Sequence, residues 1–260
     1  MDATAGLPVV ELWRYPVKSM LGERLEHAVI GPAGIVGDRR WALFDRDTGL
    51  TLTARRVPEL LVAQARLISG GDRVHDGDAV EIELPDGTVT ADDAVLSRWL
   101  GRDVELRDAT AHDTTGTYEI ALDDDGAPTE HHDWVRWDGP TWSFHDSTRT
   151  QVSLVSTATV GAWDRRRFRA NVILAADTPM IEDGWIGERL AAGTSVLEVT
   201  KPIDRCVMVT RPQRDGIERD LEVLTTINRE RAGNLAIGAL VSTPGEITTG
   251  DLVAPLPTAG

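Results

Sequence analysis

The segment Lys201-Pro-Ile-Asp-Arg-Cys-Val-Met-Val-Thr-Arg211 contains the only cysteine of the 260-residue chain, Cys206. The apolar residues that follow it predict a strand starting at the cysteine. A thiolate is the form of cysteine that attacks electrophiles and binds soft metals, and the neighbouring Arg205, Lys201 and Arg211 favour that form. The ordinary alternative is an unreactive buried cysteine that packs as a small hydrophobic side chain. This segment alone leaves both interpretations open.

Short segments rich in β-branched and aromatic residues recur through the chain, separated by turn residues. Residues 9–15, 41–44 and 80–84 are examples. Short strands between turn signals are typical of an all-β sheet or barrel. Residues 92–100 and 221–231 instead carry the start and stop signals of helices. We therefore predict a mainly β fold with a few helices, of the α+β class.

The charge balance restricts the classes of partner. The chain has 42 acidic and 27 basic residues, a formal net charge of −15, which argues against a nucleic-acid partner because phosphate backbones need a basic surface. The densest basic run is Arg165-Arg-Arg-Phe-Arg-Ala-Asn-Val-Ile-Leu174. Its first residues are typical of a helix C-terminus, whereas Arg169 and Asn171 are predicted to alternate into a strand and share one face.

The sequence also favours a cytoplasmic location. Residues 1–8 lack the basic start and apolar stretch of a signal peptide, and no apolar run approaches the roughly 20 residues of a membrane-spanning helix. A single cysteine cannot form an internal disulfide. We expect a soluble, cytoplasmic protein that does not interact with membranes.

The secondary-structure pattern weakens between residues 108 and 140. We therefore predict a β-rich N-terminal domain at 7–107, a connecting loop region at 108–140 and a second domain at 141–256. The segment Glu130-His-His-Asp133 contains four possible metal ligands. Adjacent residues rarely converge on one ion, so a solvated loop is the favoured interpretation.

Six short motifs occur in a fixed order along nearly the whole chain. They are Tyr15-Pro-Val-Lys-Ser19, Asp38-Arg-Arg-Trp41, Thr53-Ala-Arg55, Phe168-Arg-Ala-Asn-Val172, Arg205-Cys206 and Gly245-Glu-Ile-Thr-Thr-Gly-Asp251. The ordered set resembles the MOSC family, named for proteins related to the C-terminal domain of molybdenum-cofactor sulfurase. The chain is most similar to two-part members, which include the mitochondrial amidoxime reducing component and bacterial N-hydroxylaminopurine reductases. This resemblance implies a MOSC-type β-barrel preceded by an N-terminal MOSC_N domain.

The resemblance implies that Cys206 supplies a thiolate to molybdenum, beside the dithiolene of a pyranopterin. Such a soft ligand suits a metal that is already bound by sulfur. The residues implied to bind the cofactor are Lys18, Ser19, Arg39, Arg55, Asp146, Ser147, Arg169, Asn171 and Arg205. The basic residues and Ser19 are candidates for the terminal phosphate, because cations and hydroxyls bind phosphate oxygens. Asn171 offers a donor and an acceptor to the pterin edge, and Arg205 orients the site or supports the thiolate.

The implied reaction is reductive removal of oxygen from nitrogen in amidoximes, hydroxylamines, N-oxides or N-hydroxylated bases. Its electrons are expected from a separate ferredoxin or flavoprotein reductase. One cysteine cannot build an iron–sulfur cluster, and the glycine loop Gly31-Pro-Ala-Gly-Ile-Val-Gly-Asp38 lacks a nucleotide-binding fingerprint. Two alternatives remain open: a protein that carries or stores the molybdenum cofactor, and a sulfur carrier with a persulfide on Cys206.

Overall fold

The computed structural model describes residues 6–68, 78–111, 115–121 and 133–257. The strands in these ranges are β1 Leu7–Arg14, β2 Glu23–Leu25, β3 His27–Gly31, β4 Gly34–Ile35, β5 Trp41–Asp45, β6 Gln64–Ile68, β7 Ala79–Glu83, β8 Val89–Thr90, β9 Val104–Asp108, β10 Thr117–Ala121, β11 Trp134–Asp138, β12 Val152–Ser156, β13 Val172–Leu174, β14 Arg189–Ala192, β15 Ser195–Asp204, β16 Asn234–Thr243, β17 Gly245–Thr248 and β18 Leu252–Pro255. The helices are α1 Asp93–Leu100, α2 Thr157–Val160 and α3 Glu222–Arg231. The mainly β fold with a few helices is thus confirmed.

Seven strands close into a barrel in the order β1, β13, β12, β16, β15, β14, β18 and back to β1. Closure depends on β1, which pairs antiparallel with β18 through Leu7 and Val253, and with β13 through Leu12 and Val172. Fully buried apolar side chains such as Leu12 and Leu154 form the barrel core. The first strand of the chain therefore completes a barrel whose other strands come from its second half.

A second hydrophobic core lies in the N-terminal half, between the β5–β9 pair, the β6–β7–β8 sheet and α1. The Asp92 carboxylate begins α1 by accepting hydrogen bonds from the backbone N–H groups of Ala94 and Val95, at 2.9 and 3.1 Å. Gly101 ends the helix with a left-handed backbone at φ 65°. The helix predicted at 92–100 is therefore confirmed, because its sequence signals act locally.

The region predicted as a connecting loop, 108–140, is not entirely loop. Its described part contains an antiparallel hairpin of β10 and β11, in which Thr117 lies opposite Asp138 and Tyr118 opposite Trp137. The alternation of polar and apolar residues is too short in each strand to stand out from the sequence. Glu130 to His132 lie outside the described residues. Within the described ranges, no group of three or more His, Cys, Asp or Glu side chains is arranged to hold a metal ion.

The prediction of a strand starting at Cys206 is wrong. Strand β15 ends at Asp204, and Val207–Thr210 form a 3-10 turn in which the Val209 N–H donates to the Cys206 carbonyl at 3.2 Å. Arg167 fixes the turn by donating to the Val209 carbonyl at 3.1 Å. The apolar residues of the run are buried by this turn, so their tertiary packing overrides their β propensity.

The predicted placement of Arg169 in a strand is also wrong. Arg165–Phe168 form a 3-10 turn that the Asp164 carboxylate caps at the Arg166 N–H. Arg169 ends this turn in a left-handed conformation at φ 51°, three residues before β13 begins. It therefore does not alternate with Asn171 along a strand.

None of the helices within the described ranges is long and apolar enough to cross a bilayer.

Candidate functional site

A cavity of about 470 Å³ is lined by residues from both halves of the chain. All ten candidate residues named from the sequence lie in its wall: Lys18, Ser19, Arg39, Arg55, Asp146, Ser147, Arg169, Asn171, Arg205 and Cys206. Five of the six sequence motifs contribute residues to this wall, and the motif at residues 245–251 does not. The fold thus brings the predicted residues together, while their roles stay predictions.

Lys18 and Ser19 reach the cavity through a turn that follows β1. The Lys18 N–H donates to the Trp41 carbonyl at 2.8 Å, and Ser19 has a left-handed backbone at φ 69°. The Ser19 hydroxyl accepts a hydrogen bond from the Ala54 N–H at 3.0 Å. This bond joins the Lys18-Ser19 motif to the Thr53-Ala-Arg55 motif, so both present their side chains to one cavity.

Lys18 and Asp146 form an ion pair with an Nζ–Oδ1 distance of 2.6 Å. The Lys18 side chain is 5% exposed, whereas the Asp146 carboxylate is 77% exposed and open to solvent. Burial lowers the pKa of Lys18, and Asp146 opposes this shift. Desolvation also opposes ionisation of Asp146, but Lys18 with Arg55 and Arg39 outweighs it and holds the pKa of that carboxyl below its usual value. Lys18 is therefore a buried cation of the cavity wall whose charge is paired with the more exposed Asp146 carboxylate.

Arg39 and Arg169 share the aromatic ring of Tyr15. Their guanidinium carbons lie 5.0 and 4.5 Å from its centroid, distances typical of cation–π contacts. Arg39 donates to the Asp38 carboxylate and to the Arg169 carbonyl, and Arg169 donates to the Met20 carbonyl. Burial and the neighbouring Arg39 lower the pKa of Arg169 to about 10. These contacts fix both guanidinium groups in the wall, each with further N–H donors.

Asn171, which is predicted to offer its amide to a ligand, lines the cavity and makes hydrogen bonds within the fold. Its Oδ1 accepts hydrogen bonds from the Ser153 N–H and hydroxyl at 3.1 and 2.9 Å, and its Nδ2 donates to the Trp13 carbonyl at 3.2 Å. Asn171 is 1% exposed. Its amide therefore connects β1 to β12, and its carbonyl oxygen already has two donors.

Arg205 stands beside the thiol of Cys206, which is half-buried and free. Its Nε donates to the Leu235 carbonyl at 2.7 Å and its Nη1 to the Phe168 carbonyl at 2.9 Å. Burial lowers the pKa of Arg205 to about 10, although its interaction with Cys206 opposes the shift. The buried Nη2 atom has no hydrogen-bond partner. A buried hydrogen-bond donor without an acceptor costs free energy of folding. A ligand atom that accepts a hydrogen bond from Nη2 would therefore be stabilised here.

The cavity also contains residues that sequence reasoning missed. Tyr118, Ile120 and Trp137 come from the β10–β11 hairpin, whose short alternation of polar and apolar residues is too weak a signal to have located them. His145 is buried, and its Nε2 lies 3.5 Å from the Asp38 carboxylate. Burial, with the positive charge of Arg39, lowers the pKa of His145 to about 3.

The cavity wall is strongly basic in a strongly acidic protein. Among the described residues its cations are Lys18, Arg39, Arg55, Arg149, Arg167, Arg169, Lys201 and Arg205, and its carboxylates are Asp146 and Asp204. The whole chain has a net charge of −15. Such local concentration of scarce positive charge attracts an anion into the cavity.

A closed β-barrel with a cation-lined cavity and one thiol is a candidate site for an anionic small molecule. Residues 7–117 match the MOSC N-terminal beta barrel domain and residues 142–254 match the MOSC domain. The chain therefore belongs to the MOSC family. This family is associated with binding or modification of the molybdenum cofactor.

Proteins similar to this chain include a molybdenum cofactor sulfurase and an amidoxime-reducing component. The molybdenum cofactor sulfurase of Drosophila grimshawi is 26% identical over 252 residues, which cover 90% of this chain and 32% of that protein. The chain thus spans about a third of the length of the sulfurases it matches. Mitochondrial amidoxime-reducing component 1 of Homo sapiens is 25% identical over 246 residues, 86% of this chain and 72% of that protein. The solved YuaD protein of Bacillus subtilis, 14% identical, has a TM-score of 0.41 and is matched over 96% of this chain and 94% of its own.

Proposed function

We propose that the protein binds the molybdenum cofactor and uses it to reduce N-hydroxylated or N-oxide compounds, with electrons from a separate redox protein. The observation that carries this proposal is the placement of the single thiol, Cys206, in one cavity with eight cationic side chains. The cavity volume of about 470 Å³ lies within the range of sites for cofactors and small molecules.

The residues present are chemically suited to the cofactor. A thiolate suits a metal that is otherwise bound by the two sulfurs of a dithiolene, and Cys206 is the only residue that can supply one. The terminal phosphate needs hydrogen-bond donors with positive charge, which Lys18, Arg39 and Arg169 offer. The unpartnered Nη2 of Arg205 is a donor to an acceptor bound next to the thiol. The cavity therefore contains a sulfur ligand for the metal, hydrogen-bond donors for the phosphate and one buried donor without a partner.

When bound, the cofactor would supply the two-electron redox chemistry of the reaction. Cys206 would hold the metal, and this ligation would keep its sulfur deprotonated. Lys18, which is paired with Asp146 in the structure, would bind the phosphate in place of part of that ion pair. Arg39 and Arg169, held by their contacts in the wall, would orient the cofactor as preorganised charges.

The overall reaction takes up two electrons and two protons. An N-hydroxyl compound loses its N–O bond, the nitrogen gains hydrogen, and the oxygen leaves as water. The electrons come from a ferredoxin or a flavoprotein reductase in this proposal, because the chain has one cysteine for any iron–sulfur relay.

A second candidate is a carrier of the cofactor or of sulfur. It is favoured by the similarity to proteins named molybdenum cofactor sulfurase and by the exposure of Cys206 to the cavity. In that case the cofactor is bound without turnover, or a persulfide sulfur is held on Cys206.

The experiment that separates these functions uses protein from a host that makes the cofactor. Reduced viologen is the electron donor, benzamidoxime is the substrate, and benzamidine is measured as the product. We expect turnover by the wild-type protein and none by Cys206→Ala. Bound molybdenum without turnover would favour storage, whereas transferable sulfur on metal-free protein would favour a sulfur carrier.

A further inference from the structure

The β10–β11 hairpin presents an apolar face to the cavity. Tyr118 and Ile120 project from β10 on one side, and their partners across the pair, Trp137 and Val135, lie on the same side because opposed residues share a face. Tyr118, Ile120 and Trp137 line the cavity. The neighbouring positions Thr117, Glu119, Arg136 and Asp138 fall on the other face. The inner face is thus apolar, whereas the outer face carries these polar side chains together with the Trp134 ring.

The outer face fixes the hairpin in place. The Arg56 guanidinium pairs with the Glu119 carboxylate, with an Nε–Oε2 distance of 2.9 Å, and stacks 4.1 Å from the centroid of the Trp134 ring. At the start of β10, the Thr117 carbonyl accepts a hydrogen bond from the Thr51 N–H at 2.9 Å. The inner face is therefore held against the cavity from outside, before any ligand is present.

The two aromatic side chains of the inner face, Tyr118 and Trp137, differ in how much of their surface a ligand can reach. Tyr118 is 1% exposed, and the Lys18 ammonium already lies 4.1 Å from its ring centroid. Trp137 is 49% exposed, which is unusual for an indole next to a cavity. An exposed indole offers a flat surface on which another ring can stack. Trp137 is therefore the aromatic surface of this wall that a ligand can reach.

We propose that the cavity-lining residues of the inner face, Tyr118, Ile120 and Trp137, form the specificity-determining wall of the substrate site, and that Trp137 selects N-hydroxylated compounds that carry a flat aromatic ring. This inference rests on the proposed function. The cations of the cavity are suited to the anionic cofactor, whereas the hairpin face has no charge, and its polar groups are the Trp137 indole N–H and the buried, unpartnered Tyr118 hydroxyl. A neutral aromatic group is its chemical complement.

The test compares two amidoximes that share the reacting group, aromatic benzamidoxime and aliphatic acetamidoxime, with reduced viologen as the donor. We expect the ratio of their kcat/KM values to fall about tenfold in Trp137→Ala, through a higher KM for benzamidoxime, because stacking of this kind discriminates by about that factor. Trp137→Phe should restore most of the preference. Val135→Ala is the matched control, since Val135 lies on the same face with 44% exposure but does not line the cavity.

A second measurement detects binding without turnover. Saturation-transfer NMR on the oxidised holoprotein should show transfer to the ring protons of benzamidoxime in the wild type and in Val135→Ala, and its loss in Trp137→Ala. An unchanged kcat/KM ratio with unchanged transfer would overturn the inference. The inference would also be overturned if Trp137→Ala lowered the reduction rate only with a protein electron donor, because that pattern assigns the indole to partner docking. If the wild type reduces neither amidoxime, the proposed reductase function fails, and the NMR comparison alone decides whether Trp137 binds aromatic rings.

Discussion

Cys206 is the residue on which the proposed chemistry depends most. Because the chain has no second cysteine, no other side chain can replace its thiolate. We expect Cys206→Ala and Cys206→Ser to reduce amidoxime reduction to background while the far-UV circular dichroism and the melting temperature stay near wild type. The side chain is half-buried, so removal of one sulfur leaves a small cavity at most. Full activity in Cys206→Ala would remove the role assigned to the thiolate.

The cavity cations should control cofactor occupancy. The variants are Lys18→Gln, Arg39→Gln, Arg55→Gln and Arg169→Gln, with Arg165→Gln and Arg166→Gln as matched controls. Arg165 pairs with Glu11 at 3.0 Å and Arg166 with Asp164 at 2.7 Å, and neither lines the cavity. We expect lower pterin content per chain, measured by fluorescence after oxidation, in the first set and wild-type content in the controls. Equal pterin content in both sets would show that the phosphate site is assigned to the wrong residues.

His145 should make the cofactor-free protein sensitive to acid. Its pKa is about 3 in the folded state, against an ordinary value of 6.5, because burial disfavours the imidazolium. Between these values the unfolded chain binds a proton that the folded chain does not, so the free energy of unfolding falls as the pH drops. From pH 7 to pH 5 this one group lowers it by about 2 kcal/mol.

Urea denaturation of wild type and His145→Asn at both pH values measures this loss. The variant should lose about 2 kcal/mol less than the wild type over the same interval. His27→Asn is the control, because His27 is 44% exposed and pairs with Glu246 at the surface. Identical losses in wild type and His145→Asn would contradict the assignment.

At the scale of residues, the sequence predicted which side chains meet but not how each is used. Motif resemblance named ten residues, and all ten line one cavity. It could not show that the Asn171 amide is already bonded to Ser153 and Trp13, since these partners are distant in the sequence. The contact of His145 with Asp38 is hidden for the same reason.

At the scale of elements, the hairpin is held by close packing around Tyr118. A Cβ atom added at Gly139 would lie 2.6 Å from the Tyr118 Cε2 atom and 3.2 Å from the His145 carbonyl oxygen. We expect Gly139→Ala to lower the free energy of unfolding by about 1–3 kcal/mol, as overpacking of a core does. Because Tyr118 contacts Lys18, pterin content should fall as well. A thermal melt and a pterin measurement identical to wild type would show that the hairpin is not packed in this way.

Local signals predicted some elements well and others poorly. Helix α1 was predicted because its cap residues, Asp92 and Gly101, act on adjacent backbone groups. The 3-10 turn after Cys206 was predicted as a strand, because its apolar sequence is typical of strands and its burial depends on distant packing. The pairing of β1 with β13 and β18 joins segments more than 150 residues apart, which no local pattern reveals.

At the scale of the whole molecule, an acidic protein surrounds a basic cavity. The net charge of −15 favours a partner with a basic docking face, and salt should weaken that attraction. We expect turnover with reduced viologen, none with NADH alone, and NADH-dependent turnover once a reductase system is added. The rate with the protein donor should fall as ionic strength rises, whereas the viologen rate should not follow that trend. Turnover with NADH and the purified chain alone would contradict the two-protein arrangement.

The central claim is that Cys206 and the surrounding cations hold a molybdenum cofactor. The most direct test is to measure molybdenum by mass spectrometry and pterin by fluorescence in wild type and Cys206→Ala, both purified from a host that makes the cofactor. The account predicts molybdenum and pterin in equal amounts, approaching one of each per chain in the wild type, with molybdenum strongly reduced in the variant. Wild-type protein that contains neither molybdenum nor pterin from such a host would contradict it.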